Sequence, residues 1–432
     1  MVHLLVRAGL VAYHAVLRVS RAIGPARRQP DERGCHILLT GTFRSDAWVE
    51  HHLRPLANSS GCRKVTVVAA TSVPPIPGVT VISPPRWMLA CLGSAGARLI
   101  VFALRAFRER PEIVGGFHLL FNGLAAAVVA PLVGARSMYV CVGGPAEVLD
   151  GGILAENQLF NALRTPDVMI ERQLLRAVRT FDLIITMGSG ARTFLRDRGV
   201  TSDIHVIPGG LDLTLYRPSN MPPSTDIAFV GRLAAIKRPQ LLLEAIAAVR
   251  ARLGHVSAML VGEGPLRAEL EEKARSLGLG DAVVFTGHRS DAVDLLSRAR
   301  VFVLTSQSEG VSLSLMEALA CGVPAVVAHV GDLADVLRHG VNGFLVERDA
   351  PEAFAERLTE LLSNESMRGQ FASAARSGAE SYGVQATTRR WDVVLKPLQA
   401  GSMPGVPEQT PLARHSAGSA RDNSRSMPSR TT

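Results

Sequence analysis

The sequence predicts an α/β chain built from two Rossmann-like, doubly wound domains that face each other across a cleft. Three observations carry that prediction. At 432 residues the chain is too long for one ordinary core. From Cys35 onward, short β-branched apolar runs alternate with stretches of helical period. That rhythm breaks once, in a loop-rich stretch holding Gly209, Gly210, Pro218, Pro222 and Pro223, and then restarts.

Residues 1–33 read as a basic N-terminal extension, with six arginines against Asp31 and Glu32. Arg7 and Arg18 interrupt its apolar character, so it is neither a secretory signal nor a span. It is expected either to lie on a membrane as an amphipathic helix or to form a partly ordered extension. Residues 34–205 form the first domain. "HILLTGTF" is a strand and "DAWVEHHLRPLA" a helix; "KVTVVAA" and "VTVISPP" are strands, and "LACLGSAGARLIVFALRAFRER" a helix. "EIVGGFH", "SMYVCVGG" and "FDLIITMG" are buried parallel strands. The uncharged run 113–135 is long enough to cross a bilayer, but its glycines, His118, Asn122 and Pro131 make it a strand end, a loop and a buried helix.

Residues 206–385 form the second domain. Its strands are "DIAFVGRL", "SAMLVGEG", "AVVFTGH", "RVFVLTS" and "PAVVAHVG", with helices between and after them. A last helix, through 386–400, is expected to pack back toward the first domain. Residues 401–432 are Ser/Pro/Arg-rich and aperiodic, hence an expected disordered tail.

The formal charge of +9 sits largely in the two termini, and no basic groove interleaved with aromatics appears, which argues against nucleic acid. Five dispersed cysteines without metal-ligand spacing predict reduced thiols, no disulfide framework, no zinc site and a cytoplasmic setting, with peripheral contact on the inner face of the plasma membrane in view of the basic N-terminus.

Chemistry concentrates in the second domain. In "FVGRLAAIKRP", Arg232 and Lys237 follow a buried strand at its carboxyl end, where two cations suit a diphosphate. In "TSQSEGVSLSLMEALACGVPAVV", a strand delivers the chain to a loop that opens a helix, with Ser312 or Ser314 as the N-cap. Unpaired amides at that helix start suit phosphate, and Gly310 permits close approach. Glu309 and Glu317 bracket the loop. Carboxylates repel phosphate but grip vicinal diols, so each acid is assigned to one polyol of a sugar nucleotide.

On these residues the chain resembles retaining GT-B glycosyltransferases of the family-4 type. The matching pieces are "VGRLAAIK", "LVGEGPLRAELEEKARSLGL", "VVFTGH", "SEGVSLSLMEALACGVPAVV" and "HGVNGFLV", with "FDLIITMGSGARTFLRDRGV" and "IHVIPGGLDLTLYRP" upstream. The resemblance implies that Arg232 and Lys237 hold the donor diphosphate and that Glu309 contacts the transferred sugar. It places Gly231, Gly310, Val311, Ser312 and Leu313 around phosphate and sugar, Glu317 on the ribose, and His288 and Arg289 beside the base. It implies a nucleotide-sugar co-substrate and no cofactor; no Asp-x-Asp motif is present to hold a metal between phosphates. It also implies transfer with retention to a glycan or lipid-linked acceptor. Family members often place a His after an N-domain strand, where this chain has Gly143 and Gly144; Gly41, His118 and Glu147 are the remaining cleft candidates on that side. Asp332 and Asp335 stand where Gly and Glu are more usual, and are read as drift. Two other readings compete with transfer: a catalytically weak nucleotide- or glycan-binding scaffold, and a sugar-nucleotide epimerase.

Overall fold

The computed structural model describes residues 2–43, 45–153, 160, 162–347 and 351–399. The tail 401–432 lies outside the described residues. Two all-parallel sheets organise the rest. The first has the order β3-β2-β1-β4-β5-β6-β7, formed by Val79–Ile82 (β3), Cys62–Val68 (β2), Cys35–Thr40 (β1), Ile113–Phe117 (β4), Arg136–Cys141 (β5), Leu183–Thr186 (β6) and Asp203–Val206 (β7). The second has the order β10-β9-β8-β11-β12-β13, formed by Val283–Gly287 (β10), Ala258–Val261 (β9), Thr225–Val230 (β8), Ala299–Leu304 (β11), Ala325–Ala328 (β12) and Gly343–Val346 (β13). Each order reverses once, at β1/β4 and at β8/β11, and parallel sheets take ligands beyond the strand ends at such reversals.

Strand alternation builds two apolar layers on the first sheet. Ile37, Leu39, Val65, Val67, Met138 and Val140 point to one face. There α2 (Asp46–Ala57) is capped by the Ser45 hydroxyl, which accepts from the Trp48 amide. Leu38, Val68, Val114, Tyr139 and Ile184 point to the other face. That side is covered by α1 (Val2–Ile23), α3 (Arg86–Glu109), α4 (Leu124–Leu132) and α5 (Val168–Val178).

Helix α1 is joined to the first domain. Val6, Leu10 and Leu17 enter its core, and Arg7 and His3 both bond Asp167, the N-cap of α5. At the other end of the chain, α13 (Val384–Gln399) returns to the first domain. Trp391, Val394, Leu395 and Leu398 pack into the α2-side core, and Ser59 and Ser60 bond Asp392.

Two strands differ from the sequence reading. β7, not read as a strand, is the edge of the first sheet, and β13, read as a motif only, is the edge of the second. Both are four residues long and sit beside the glycines and prolines of loop-rich or motif stretches. The long α3 also breaks at Gly93, whose φ of 67° lies outside the helical region.

Candidate active site

The reversal in the second sheet brings the loops after β8 and β11 together. Lys237 lies on a 3-10 turn, Ala235–Lys237, tied to the neighbouring loop because Thr305 Oγ1 donates to the Lys237 and Arg238 carbonyls and Gln307 N donates to the Ile236 carbonyl. Its Nζ donates to Glu309 Oε1 at 2.6 Å, and Ser306 Oγ donates to the same oxygen at 2.5 Å. The Glu309 carboxylate is largely buried, its side chain 9% exposed. Arg232 is exposed just past β8, and Gly231 is bonded to β9 through its amide.

Helix α10 (Leu313–Ala320) starts immediately after this loop. Ser312 rather than Ser314 is its N-cap, its hydroxyl accepting from Leu315 N at 3.4 Å. Leu315, Met316, Leu319 and Ala320 face the second core and fix the helix direction. Val311 packs against the cores of both lobes, and Leu313 reaches Gly209 in the segment that joins them.

The lobes touch at this loop. A Cβ on Gly310 would sit 2.5 Å from the Val142 carbonyl oxygen, and one on Gly144 would sit 3.9 Å from the Gly310 Cα. Glycine at 310 is therefore a steric requirement of the closed arrangement.

Glu317, one turn into α10, is engaged across the lobes. His51 Nε2 of α2 lies 3.1 Å from its Oε1, and the Tyr216 hydroxyl donates to the same oxygen at 3.2 Å. Burial, then Glu317 itself, pushes the Tyr216 hydroxyl pKa up, so it stays a proton donor at neutral pH. His288 and Arg289 follow β10 on the surface, where the Arg289 guanidinium is paired with Asp291.

Opposite lies the reversal of the first sheet. His118 follows β4 with φ 62°, a backbone conformation that a non-glycine residue adopts only at a cost. The turn it opens is held from behind: buried Arg98 donates to Thr40 Oγ1 and Asn122 Oδ1, and Asn122 Nδ2 donates to the Phe117 carbonyl. His118 Nδ1 lies 3.0 Å from Glu147 Oε1. Glu147 is buried and also accepts from Gly143 N, Leu119 N and the Tyr139 hydroxyl. Burial alone would raise its pKa; His118 and the two amides outweigh burial and lower it, so the group is a carboxylate. A carboxylate only accepts, so Nδ1 carries a proton toward Glu147. Gly143 packs on the Glu147 side chain, and Gly41 packs on the Phe43 ring.

A further inter-lobe contact was not legible beforehand. Asp332 and Asp335 cap α6 (Ser189–Asp197) from across the cleft. Asp332 Oδ1 accepts from Gly190 N at 2.7 Å and Ala191 N at 3.2 Å, while Asp335 accepts from the Ser189 amide and hydroxyl. Gly188 and Gly190 make the room, since a Cβ on either would overlap Asp332. These aspartates are thus a built contact and not drift. The sequence signal was a pair three residues apart after a strand, opposite a Gly-Ser-Gly helix start.

Burial and then Asp335 push the Asp332 pKa up to about 6, against the pull of the two amides, and its Oδ2 is buried without a partner. Its folded pKa exceeds its ordinary value of 3.8, so the native chain holds the extra proton between the two. Stability contributed by this group is therefore full below about pH 4 and is lost as pH rises through about 6, by at most about 3 kcal/mol. Asp332→Asn is expected to raise the melting temperature at pH 8 while leaving it nearly unchanged at pH 4; parallel pH profiles for the two proteins would refute the assignment.

Residues 219–378 match the family model described as Glycosyl transferases group 1. Over 203 residues the chain is 34% identical to a D-inositol 3-phosphate glycosyltransferase of Corynebacterium urealyticum, covering 45% of this chain and 47% of that protein. Over 147 residues it is 29% identical to an N-acetyl-alpha-D-glucosaminyl L-malate synthase of Bacillus anthracis, covering 34% of this chain and 38% of that protein. The chain thus spans about half the length, or less, of these curated relatives. Among solved structures, Anabaena Alr3699/HepE in complex with UDP and glucose superposes with a TM-score of 0.65 at 19% identity, over 83% of this chain and 99% of that one. Sucrose-phosphate synthase from Thermosynechococcus elongatus gives 0.69 at 18% identity, over 85% and 100%. These likenesses show the fold, which is GT-B.

Proposed function

We propose that this chain, whose residues 219–378 match the glycosyl transferases group 1 model, moves a sugar from a nucleotide-diphosphate donor to a glycan or lipid-linked acceptor at the inner membrane face. The observation that supports this best is the meeting of Lys237, Glu309 and the start of α10 at one sheet reversal, with His118 and Glu147 at the other. A UDP-type donor is the first to test, since the solved structure of HepE holds UDP and glucose.

In this reading the diphosphate lies on the first amides of α10, with Arg232 and Lys237 neutralising it. Glu309 holds hydroxyls of the transferred sugar and Glu317 those of the ribose. Their Oε1 atoms are engaged by protein partners, so Oε2 is the oxygen assigned to the ligand in each case. The bond from the anomeric carbon to the diphosphate oxygen breaks, and the bond to the acceptor oxygen forms on the same face. The acceptor proton passes to the departing diphosphate. The protein's work is positioning and charge stabilisation of an oxocarbenium-like transition state, without a metal.

The test is a thermal-shift series with UDP-, GDP- and ADP-sugars on the full chain. One donor class is expected to stabilise the protein, with the shift lost in Arg232→Ala. No shift with any donor would sink the reading. A shift without transfer or hydrolysis would favour a binding scaffold, and donor conversion without acceptor an epimerase.

A further inference from the structure

We infer that the helical layer of the first lobe carrying α1 and α3 is a docking surface for an anionic lipid bilayer. The inference deepens the reading of a membrane-borne acceptor and rests on it only for its purpose, since the surface is defined without the active site.

Both helices lie on one side of the first sheet. α4 runs between them, giving Ala127, Leu124 and Val128 to α1 and Ala126, Val129 and Ala130 to α3. Their inner faces are used; their outer faces are apolar and uncovered. On α1, Leu4, Leu5 and Ile23 are 68%, 65% and 69% exposed; on α3, Trp87, Leu104 and Phe107 are 67%, 62% and 51% exposed. Apolar side chains this exposed, repeated along two neighbouring helices, exceed the scattered surface residues of an ordinary soluble lobe.

Charge identifies the occupant. α1, α3, α4 and α5 together carry nine arginines against two glutamates. Glu109 is bonded to Lys64 and Glu171 to the Asp150 amide, so both acids are engaged within the protein. Arg18, Arg21, Arg86, Arg108, Arg172 and Arg176 are exposed. A second copy of this surface would bring arginine against arginine, whereas an anionic headgroup layer complements it. A tryptophan near one end and arginines with long apolar stems suit the headgroup boundary.

Both helices are long and apolar enough to cross a bilayer. Crossing would strip Val6, Leu10 and Leu17 of α1 from the core, and would pull Arg98 of α3 from Thr40 and Asn122. The geometry therefore points to helices lying in the headgroup plane.

The test uses the full chain and vesicles of phosphatidylcholine, with and without phosphatidylglycerol, free of any donor or acceptor. Sedimentation is expected only with the mixed vesicles and is expected to weaken in high salt. Leu104→Ser with Phe107→Ser should lower partitioning ~10-fold or more, with an unchanged melting temperature and an unchanged donor thermal shift. Arg86→Gln with Arg108→Gln should lower it too. Equal binding to neutral vesicles, no binding to either, or a double serine variant that keeps its vesicle affinity and changes only from dimer to monomer would overturn the proposal. A donor shift without vesicle binding leaves the transferase reading standing; vesicle binding without a donor shift does the reverse.

Discussion

Glu309→Gln will abolish turnover while tightening the grip on nucleoside diphosphate, and Lys237→Ala will weaken both. The asymmetry follows from the 2.6 Å contact between the Lys237 ammonium and Glu309 Oε1. In the proposed site the same ammonium must neutralise the donor diphosphate, so carboxylate and phosphate compete for it. A neutral amide at 309 holds the ammonium less firmly and no longer repels an incoming dianion. Affinity for the bare diphosphate should rise ~3- to 10-fold, since charge-assisted hydrogen bonds are worth ~1.5–3 kcal/mol and only part of that is recovered. The transferred sugar loses its acid partner, and turnover should fall ~100-fold or more.

Lys237→Ala acts differently. It removes the cation from the leaving group, with an expected loss of ~100- to 1,000-fold in turnover by comparison with the removal of one oxyanion donor. It also leaves a largely buried carboxylate that still accepts from Ser306 but has lost its cation, so a lower melting temperature should accompany the loss. Isothermal titration with UDP, beside initial rates with the donor class found by thermal shift, separates the two variants. If Glu309→Gln loses UDP affinity as strongly as Lys237→Ala, the carboxylate supports the phosphate pocket and does not compete with it, and the division of roles fails.

The second lobe was the more legible half. Its strands are buried parallel runs, and Arg232, Lys237 and Glu309 stand in loops whose place at the sheet reversal follows from strand order. The N-cap choice between Ser312 and Ser314 was open because either hydroxyl, two residues apart, satisfies the same pattern. What stayed hidden was set by distance along the chain. His51 meets Glu317 across 266 positions, and Asp332 meets Gly190 across 142. Local patterns can mark each partner, as the aspartate pair and the Gly-Ser-Gly helix start do, but not which partner it meets, because both contacts depend on how the two lobes close. Helix α1 was ambiguous for another reason: its two faces are both apolar, and only packing distinguishes the one that enters the core.

The other large effect is expected at His118. A residue at φ 62° that is not glycine stores strain of ~1–3 kcal/mol, and the fold supplies a buried carboxylate to orient its ring. Were the ring only structural, His118→Gly would relieve the backbone and leave rates unchanged. If instead it is a cleft group standing in for the histidine that the resembling enzymes carry where this chain has Gly143 and Gly144, it should behave otherwise. His118→Asn keeps a donor for Glu147, yet lacks the ring nitrogen Nε2. Both variants should fold, with melting temperatures within a few degrees of the parent, and both should lose ~100-fold or more in transfer. Glu147→Gln should behave differently: its amide nitrogen would meet donors at Gly143, Leu119, Tyr139 or His118, leaving at least one buried group unpaired at ~1–3 kcal/mol. That variant should melt earlier as well as turn over more slowly. Transfer at the parental rate by His118→Gly would assign the ring to structure alone and return the acceptor side of the cleft to other residues.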